Sequence, residues 1–225
     1  MRDAYQRFFE SCLPKEQLFA FGLSEIISCK PEVVDGAWTE LQEKVRGNRS
    51  VYIRSFGRNG SGSHLFTEFY RLAIGNENVA IDPTNNSKPT EALREFTGFT
   101  KTPKRGFELL RNYQVSHVFG RTKNVFAFTA PWNIVFIPKI LDPFTGHEAK
   151  GDAVSEFIGM FQREVFERFA PQIQSFNETM ENEEFRSNCV RAIGQMERSG
   201  KYELAELSKF RRAVSHELSP ISVEA

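Results

Sequence analysis

Two of the chain's four histidines lie in one stretch, Asn112 to Asp152, with Asn133 between them. Tyr113 to Phe119 alternates like a half-buried strand and carries His117, and Asn133 opens a second, apolar strand from Ile134 to Ile137. His147 follows in the turn Thr145-Gly146-His147, with Glu148 beside it. An imidazole accepts a proton at neutral pH without a large shift, and it also ligates divalent metals. Phosphodiester hydrolysis needs both abilities: a base for water, and a cation on the non-bridging and leaving oxygens. Asp142, Glu148 and Asp152 are the oxygen donors nearby. One histidine and one or two such oxygens, completed by water, suit Mg²⁺ or Mn²⁺, whereas the imidazole also admits Zn²⁺ or Ni²⁺.

The elements that must position these groups come in the order strand, loop, strand, helix. Gly120 to Pro131 reads as a connecting loop, the chain turns at Asp142-Pro143, and Asp152 serves as N-cap of a helix that begins at Ala153. With Ser116-His117, Trp132-Asn133 and Gly146-His147 in that order, the stretch resembles the HNH, or ββα-metal, nuclease motif. The resemblance implies that His117 is the general base, that Asn133 fixes the hairpin and orients that base, and that His147 ligates the metal; Glu148, its sequence neighbour, is the candidate oxygen ligand. The chain has Ser116 where many members carry an acidic ligand, and its asparagine-to-histidine interval is long. Cys12, Cys29 and Cys189 do not form the cysteine pairs of the zinc-bearing branch. The competing role for His117 is that of a packed, hydrogen-bonded side chain.

A net charge of zero hides an uneven distribution. Residues 46 to 125 carry 13 Lys/Arg against 6 Asp/Glu, a net of +7, while the segments on either side are acidic. The basic block runs into the histidine stretch, and double-stranded DNA is the partner that such a block attracts through counterion release. Within it, a strand from Ser50 to Phe56 leads through Gly57-Arg58-Asn59-Gly60-Ser61-Gly62-Ser63 into a helix over His64 to Ile74. Arg54, Arg58, Asn59 and Ser61 are expected to contact DNA there, because Arg and Asn pair with base edges while hydroxyls and backbone amides hold phosphate. The turn lacks the Lys-Ser/Thr of a P-loop. Asn85 and Asn86, between a strand at Val79 to Ile81 and a helix at Thr90 to Phe96, are candidates for base reading. Arg121 and Lys123 flank His117 as further DNA contacts.

Forty per cent hydrophobic residues over 225 positions suffice for a proper core. There is no apolar run of membrane-spanning length, and scattered cysteines fit a reducing cytoplasm. The start of the chain lacks the pattern of a signal peptide. Helices are expected at Asp3 to Cys12, Pro14 to Phe21, Pro31 to Lys44, Ala153 to Phe169, Gln172 to Met180, Glu183 to Arg198 and Tyr202 to Leu218. The face of Phe157, Phe161, Val165 and Phe169 reads as core, with homodimerisation on a two-fold DNA site as the alternative.

These readings combine into an α+β chain: a helical N-terminal scaffold at 1–48, a mixed α/β DNA-recognition region at 49–111, a ββα-metal catalytic region at 112–170 and a helical C-terminal region at 171–225, or one compact domain over all four. The function expected is metal-dependent DNA cleavage of the type II restriction kind. The alternatives are a non-catalytic sequence-specific DNA-binding protein and a nucleotide-binding enzyme that uses the Gly57 to Gly62 turn.

Overall fold

Asp3 accepts from the amides of Tyr5 and Gln6 and so starts the first helix, α1 (Ala4–Ser11), which is followed by α2 (Lys15–Ser24) and α3 (Pro31–Arg46). The computed structural model describes residues 2–55, 62–145 and 149–223. In α3, Val34, Trp38, Leu41 and Val45 recur at helical spacing and are buried.

Next, β1 (Val51–Ile53), α4 (Ser63–Ile74) and β2 (Val79–Ile81) form a β-α-β unit whose strands are parallel, Val51 opposite Val79 and Ile53 opposite Ile81. Gly62 precedes α4 with φ +104°, a conformation an L side chain rarely adopts. The helix after β2, α5 (Ser87–Thr97), begins three residues earlier than expected. The cause is Asp82, fully buried, whose carboxylate accepts from the amides of Thr84, Ser87 and Lys88 and satisfies the open first turn. A small parallel pair, β3 (Phe99–Thr100) and β4 (Glu108–Leu109), follows and has no counterpart among the sequence expectations.

The hairpin consists of β5 (Tyr113–His117) and β6 (Ile134–Pro138), antiparallel, with His117 opposite Ile134 and Tyr113 opposite Pro138. All five residues of β6 are buried, and its Phe136 exchanges two backbone hydrogen bonds with Ile27. Asp142-Pro143 belongs to a one-turn helix, α6 (Asp142–Thr145), entered from a 3₁₀ turn at Lys139–Leu141, rather than to a simple turn. Helix α7 (Asp152–Arg168) takes Gly151 as its cap and Asp152 as its first residue, one position earlier than expected. Then come α8 (Ala170–Glu181), α9 (Glu183–Arg198) and α10 (Leu204–Glu217).

The fold is α+β. One apolar cluster draws Leu18, Trp38, Phe69, Trp132, Phe157, Phe176 and Phe210 together, so the four sequence segments share a core instead of burying separate ones. The face read as core, with a dimer contact as the alternative, Phe157, Phe161, Val165 and Phe169, is buried within the chain. Among the described residues no helix is long and apolar enough to cross a membrane.

Candidate active site around His117

His117 ends β5, and its ring lies parallel to Phe128, 5.3 Å between centroids at 9°. Its Nε2 is 3.0 Å from the carbonyl oxygen of Phe128. A carbonyl only accepts, so Nε2 carries the hydrogen, and in the neutral ring the lone pair resides on Nδ1. Nδ1 has no hydrogen-bond partner among the described residues.

Phe128 is presented by residues 118–133, of which Gly120 to Pro131 were expected to be a plain connecting loop. Instead Val125, Phe126, Ala127, Phe128 and Ala130 are buried. A buried loop must satisfy its own backbone groups, and two fully buried asparagines do this. Asn133 accepts from the amide of Phe119 at 3.0 Å and donates from Nδ2 to the carbonyls of Gly120 and Ala127, both at 2.9 Å. It ties the start of the loop to the residue just before Phe128 and makes no hydrogen bond to His117. Asn124 accepts from the amide of Phe126 and donates to the carbonyl of Glu217 at 2.8 Å. The sequence reading missed Asn124; the available signal was a mostly apolar run, Val125 to Trp132, with an asparagine at either end. Trp132 drives the loop into the core against Trp38 and Phe176.

The carboxyl ends of β1 and β2 face this loop. The amide of Arg54 donates to Thr122 at 2.9 Å, and that of Asp82 donates to Ile53 at 2.8 Å. Open parallel strands commonly place ligands at their carboxyl ends. Arg54 is close enough to His117 to disfavour its protonation, and its buried Nε has no hydrogen-bond acceptor among the described residues.

The His117 ring is half-buried by exposed area, yet protein packs around it densely. Its pKa is pushed down to about 4, first by burial and then by Arg54, against the Phe128 carbonyl and Asp82, which favour the charged form. An unperturbed imidazole stands near 6.5, so the shift is the effect of the folded surroundings. The unfolded chain binds this proton as pH falls below 6.5, while the folded chain resists it until about 4. The stability that neutral His117 contributes is therefore complete above 6.5 and is lost as pH falls toward 4. The buried Glu217 carboxyl, raised chiefly by desolvation, contributes the opposite trend, so a variant comparison is needed. Urea unfolding of the parent and of His117→Gln at pH 7 and about 4.5 should show the parent losing on the order of 2 kcal/mol more than the variant. Equal losses would contradict the depressed value.

The other expected contacts are placed as follows. Arg121, in the left-handed region at φ +53°, is fastened to the C-terminal end of the chain: Nη1 lies 2.8 Å from Nε2 of His216, and Nη2 donates to Ser219 at 2.7 Å. Lys123 donates its amide to Glu217 at 2.9 Å, and its ammonium lies over the ring of Phe66. Asn86 is exposed at the start of α5, and Asn85 occupies the turn before it at φ +69°. Arg58, Asn59 and Ser61 lie outside the described residues, as do His147 and Glu148. Among the described residues no three His, Cys, Asp or Glu side chains gather to hold a metal ion.

A family model described as "Uncharacterised protein PM1201" matches residues 29–223. The chain belongs to this family. It is 42% identical over 182 residues to the uncharacterized protein PM1201 of Pasteurella multocida (strain Pm70), covering 80% of this chain and 80% of that protein. No solved structure matches the chain. The stretch matched by the PM1201 family contains the whole hairpin, the β-α-β unit and α10, while α1 and α2 precede it.

Proposed function

We propose that the chain is an HNH-like endonuclease that hydrolyses DNA phosphodiesters with the help of a divalent cation, in the manner of a type II restriction enzyme. The observation that supports this reading is the hydrogen bond from Nε2 of His117 to Phe128, on a loop braced by Asn133. It favours the tautomer with the hydrogen on Nε2, which is consistent with Nδ1 as the proton acceptor and with a positioning role for Asn133 that acts through the loop. Nδ1 takes a proton from water as the water oxygen attacks phosphorus. The bond to the leaving sugar oxygen breaks, and that oxygen is protonated from solvent. Arg54, whose charge acts on His117, is a described cation available to the phosphoryl oxygens.

A pKa near 4 keeps the base neutral throughout the physiological range but makes it intrinsically weak. A bound phosphate, being anionic, would raise it toward a more effective value. The resemblance would place the cation, Mg²⁺ with Mn²⁺ or Zn²⁺ as substitutes, on His147, and Glu148 is the oxygen donor beside it in sequence. Bound, it would supply positive charge to the phosphoryl and leaving oxygens. The described donors do not form a metal site by themselves, and the proton transfer to Nδ1 uses none.

The stacking of His117 on Phe128 also fits a second reading, a non-catalytic DNA-binding protein in which this histidine is purely structural. Plasmid and phage DNA incubated with and without Mg²⁺ or Mn²⁺ separate the two. Discrete fragments that require the metal are expected. Binding without cleavage under every metal condition would favour the structural histidine.

A further inference from the structure

We infer that the connector formed by residues 101–111 is a second nucleic-acid contact, gripping the phosphate backbone of duplex DNA to one side of the point where His117 acts. Its partner rests on the DNA reading above, but it does not depend on cleavage.

The connector carries Lys101, Lys104, Arg105 and Arg111 against a single acid, Glu108. All four cations are exposed, and none forms an ion pair among the described residues. Elsewhere on this surface opposite charges are matched: Lys88 meets Glu91 and Arg94 meets Glu95, at 2.8 and 2.9 Å. Lys30 adds a further exposed cation, its Nζ lying against Gly98 just before β3. A set of unmatched like charges repels itself in the free protein and is relieved by a polyanion.

The set is also held in place. β3 and β4 pair, the amide of Leu110 donates to Thr100 at 2.7 Å, and that of Glu108 donates to Gly98 at 3.0 Å. Phe107 anchors the tip, with the Lys104 ammonium and the Arg94 guanidinium 5.1 and 5.6 Å from its ring centre. Cations carried on a paired backbone lose less freedom on binding than those on a flexible tail would.

Position selects the partner. The connector joins the start of β5, and four residues of strand, about 13 Å, separate Tyr113 from His117. That distance corresponds to about four phosphates along one strand of B-DNA at roughly 3.4 Å each. A duplex whose scissile phosphate sits at His117 can therefore lay its flanking backbone over the connector.

The test uses the full chain with Lys101→Gln, Lys104→Gln, Arg105→Gln and Arg111→Gln combined, since glutamine removes the charge and keeps an aliphatic stem over Phe107. Circular dichroism should match the parent. Binding of a labelled duplex is measured by anisotropy across a salt series in chelator, where no metal-dependent cutting occurs. For every phosphate that the protein no longer neutralises, the dependence of log affinity on log salt flattens by about 0.9, so loss of all four contacts should make the slope shallower by about 3.6. An unchanged slope would overturn the inference, and so would a parent that shows no salt-dependent duplex binding. The companion cleavage assay with Mg²⁺ is independent: a flattened slope with no cutting by either protein leaves the backbone grip standing and removes the nuclease reading. Cutting by both proteins with identical slopes does the reverse.

Discussion

His117→Ala should bind duplex DNA like the parent and cut it on the order of 100 to 10,000 times more slowly, the range associated with removing a general base. The side chain has one nitrogen committed to the Phe128 carbonyl and leaves the other to accept a proton from water. Alanine removes that acceptor without changing the basic surface. It also strands the Phe128 carbonyl and the face of its ring, so circular dichroism and duplex affinity must be measured beside the rate. His117→Gln supplies the second arm, because its amide can still donate to that carbonyl while lacking an imidazole base. Both variants should be slow. If the glutamine protein is folded, binds DNA and cuts at the parental rate, His117 is structural and the hydrolytic reading fails. The acid limb of the parent's rate profile should lie below 6.5, because burial holds the ring neutral to lower pH. A limb at 6.5 or above would mean that bound DNA raises the ring's pKa by the whole of that shift.

The second large effect is on stability. Asn133→Ala should cost roughly 3 kcal/mol or more in urea unfolding, because each buried polar group left without a partner costs about 1 to 3 kcal/mol. The Phe119 amide and the part-buried Gly120 carbonyl lose their partner, while the Ala127 carbonyl keeps only the 3.2 Å bond from the Ala130 amide. Asn133→Asp tests the direction of the bonds. A carboxylate keeps the acceptor for Phe119 but offers no donor to the two carbonyls, so it should be no better tolerated than alanine. Cleavage should fall in both variants through displacement of Phe128, with duplex affinity less affected than rate. A loss under about 1 kcal/mol would mean that the loop is held by Trp132 and Asn124 without Asn133.

Much of the fold is legible from local signals. Helix α9 runs over Glu183–Arg198, as its periodicity predicts, and Asn182 caps it through the Phe185 amide. Strand β2 occupies Val79–Ile81, and β5 and β6 lie within two residues of their expected ends. These elements were readable because apolar spacing, caps and breakers act between residues a few positions apart. The residue types around His117 were equally plain, since an imidazole, an asparagine and a basic segment are visible as letters.

What those letters do was decided only by tertiary structure. The run from Val125 to Ala130 fits neither helical nor strand periodicity, and its burial depends on Asn124 and Asn133 replacing water as partners for the loop's backbone. Asp82 caps α5 across a turn, displacing the helix start from where a local reading places it. The sequence puts Arg121 and Lys123 beside His117 as free cations. The fold instead brings α10 and Ser219 against them from more than ninety residues away, fastening Arg121 to His216 and the Lys123 amide to Glu217. The charge state of His117 belongs with these: a pKa is set by the dielectric and the charges around a group. Those around His117 come from β1, β2 and the loop, which meet only when the chain has folded.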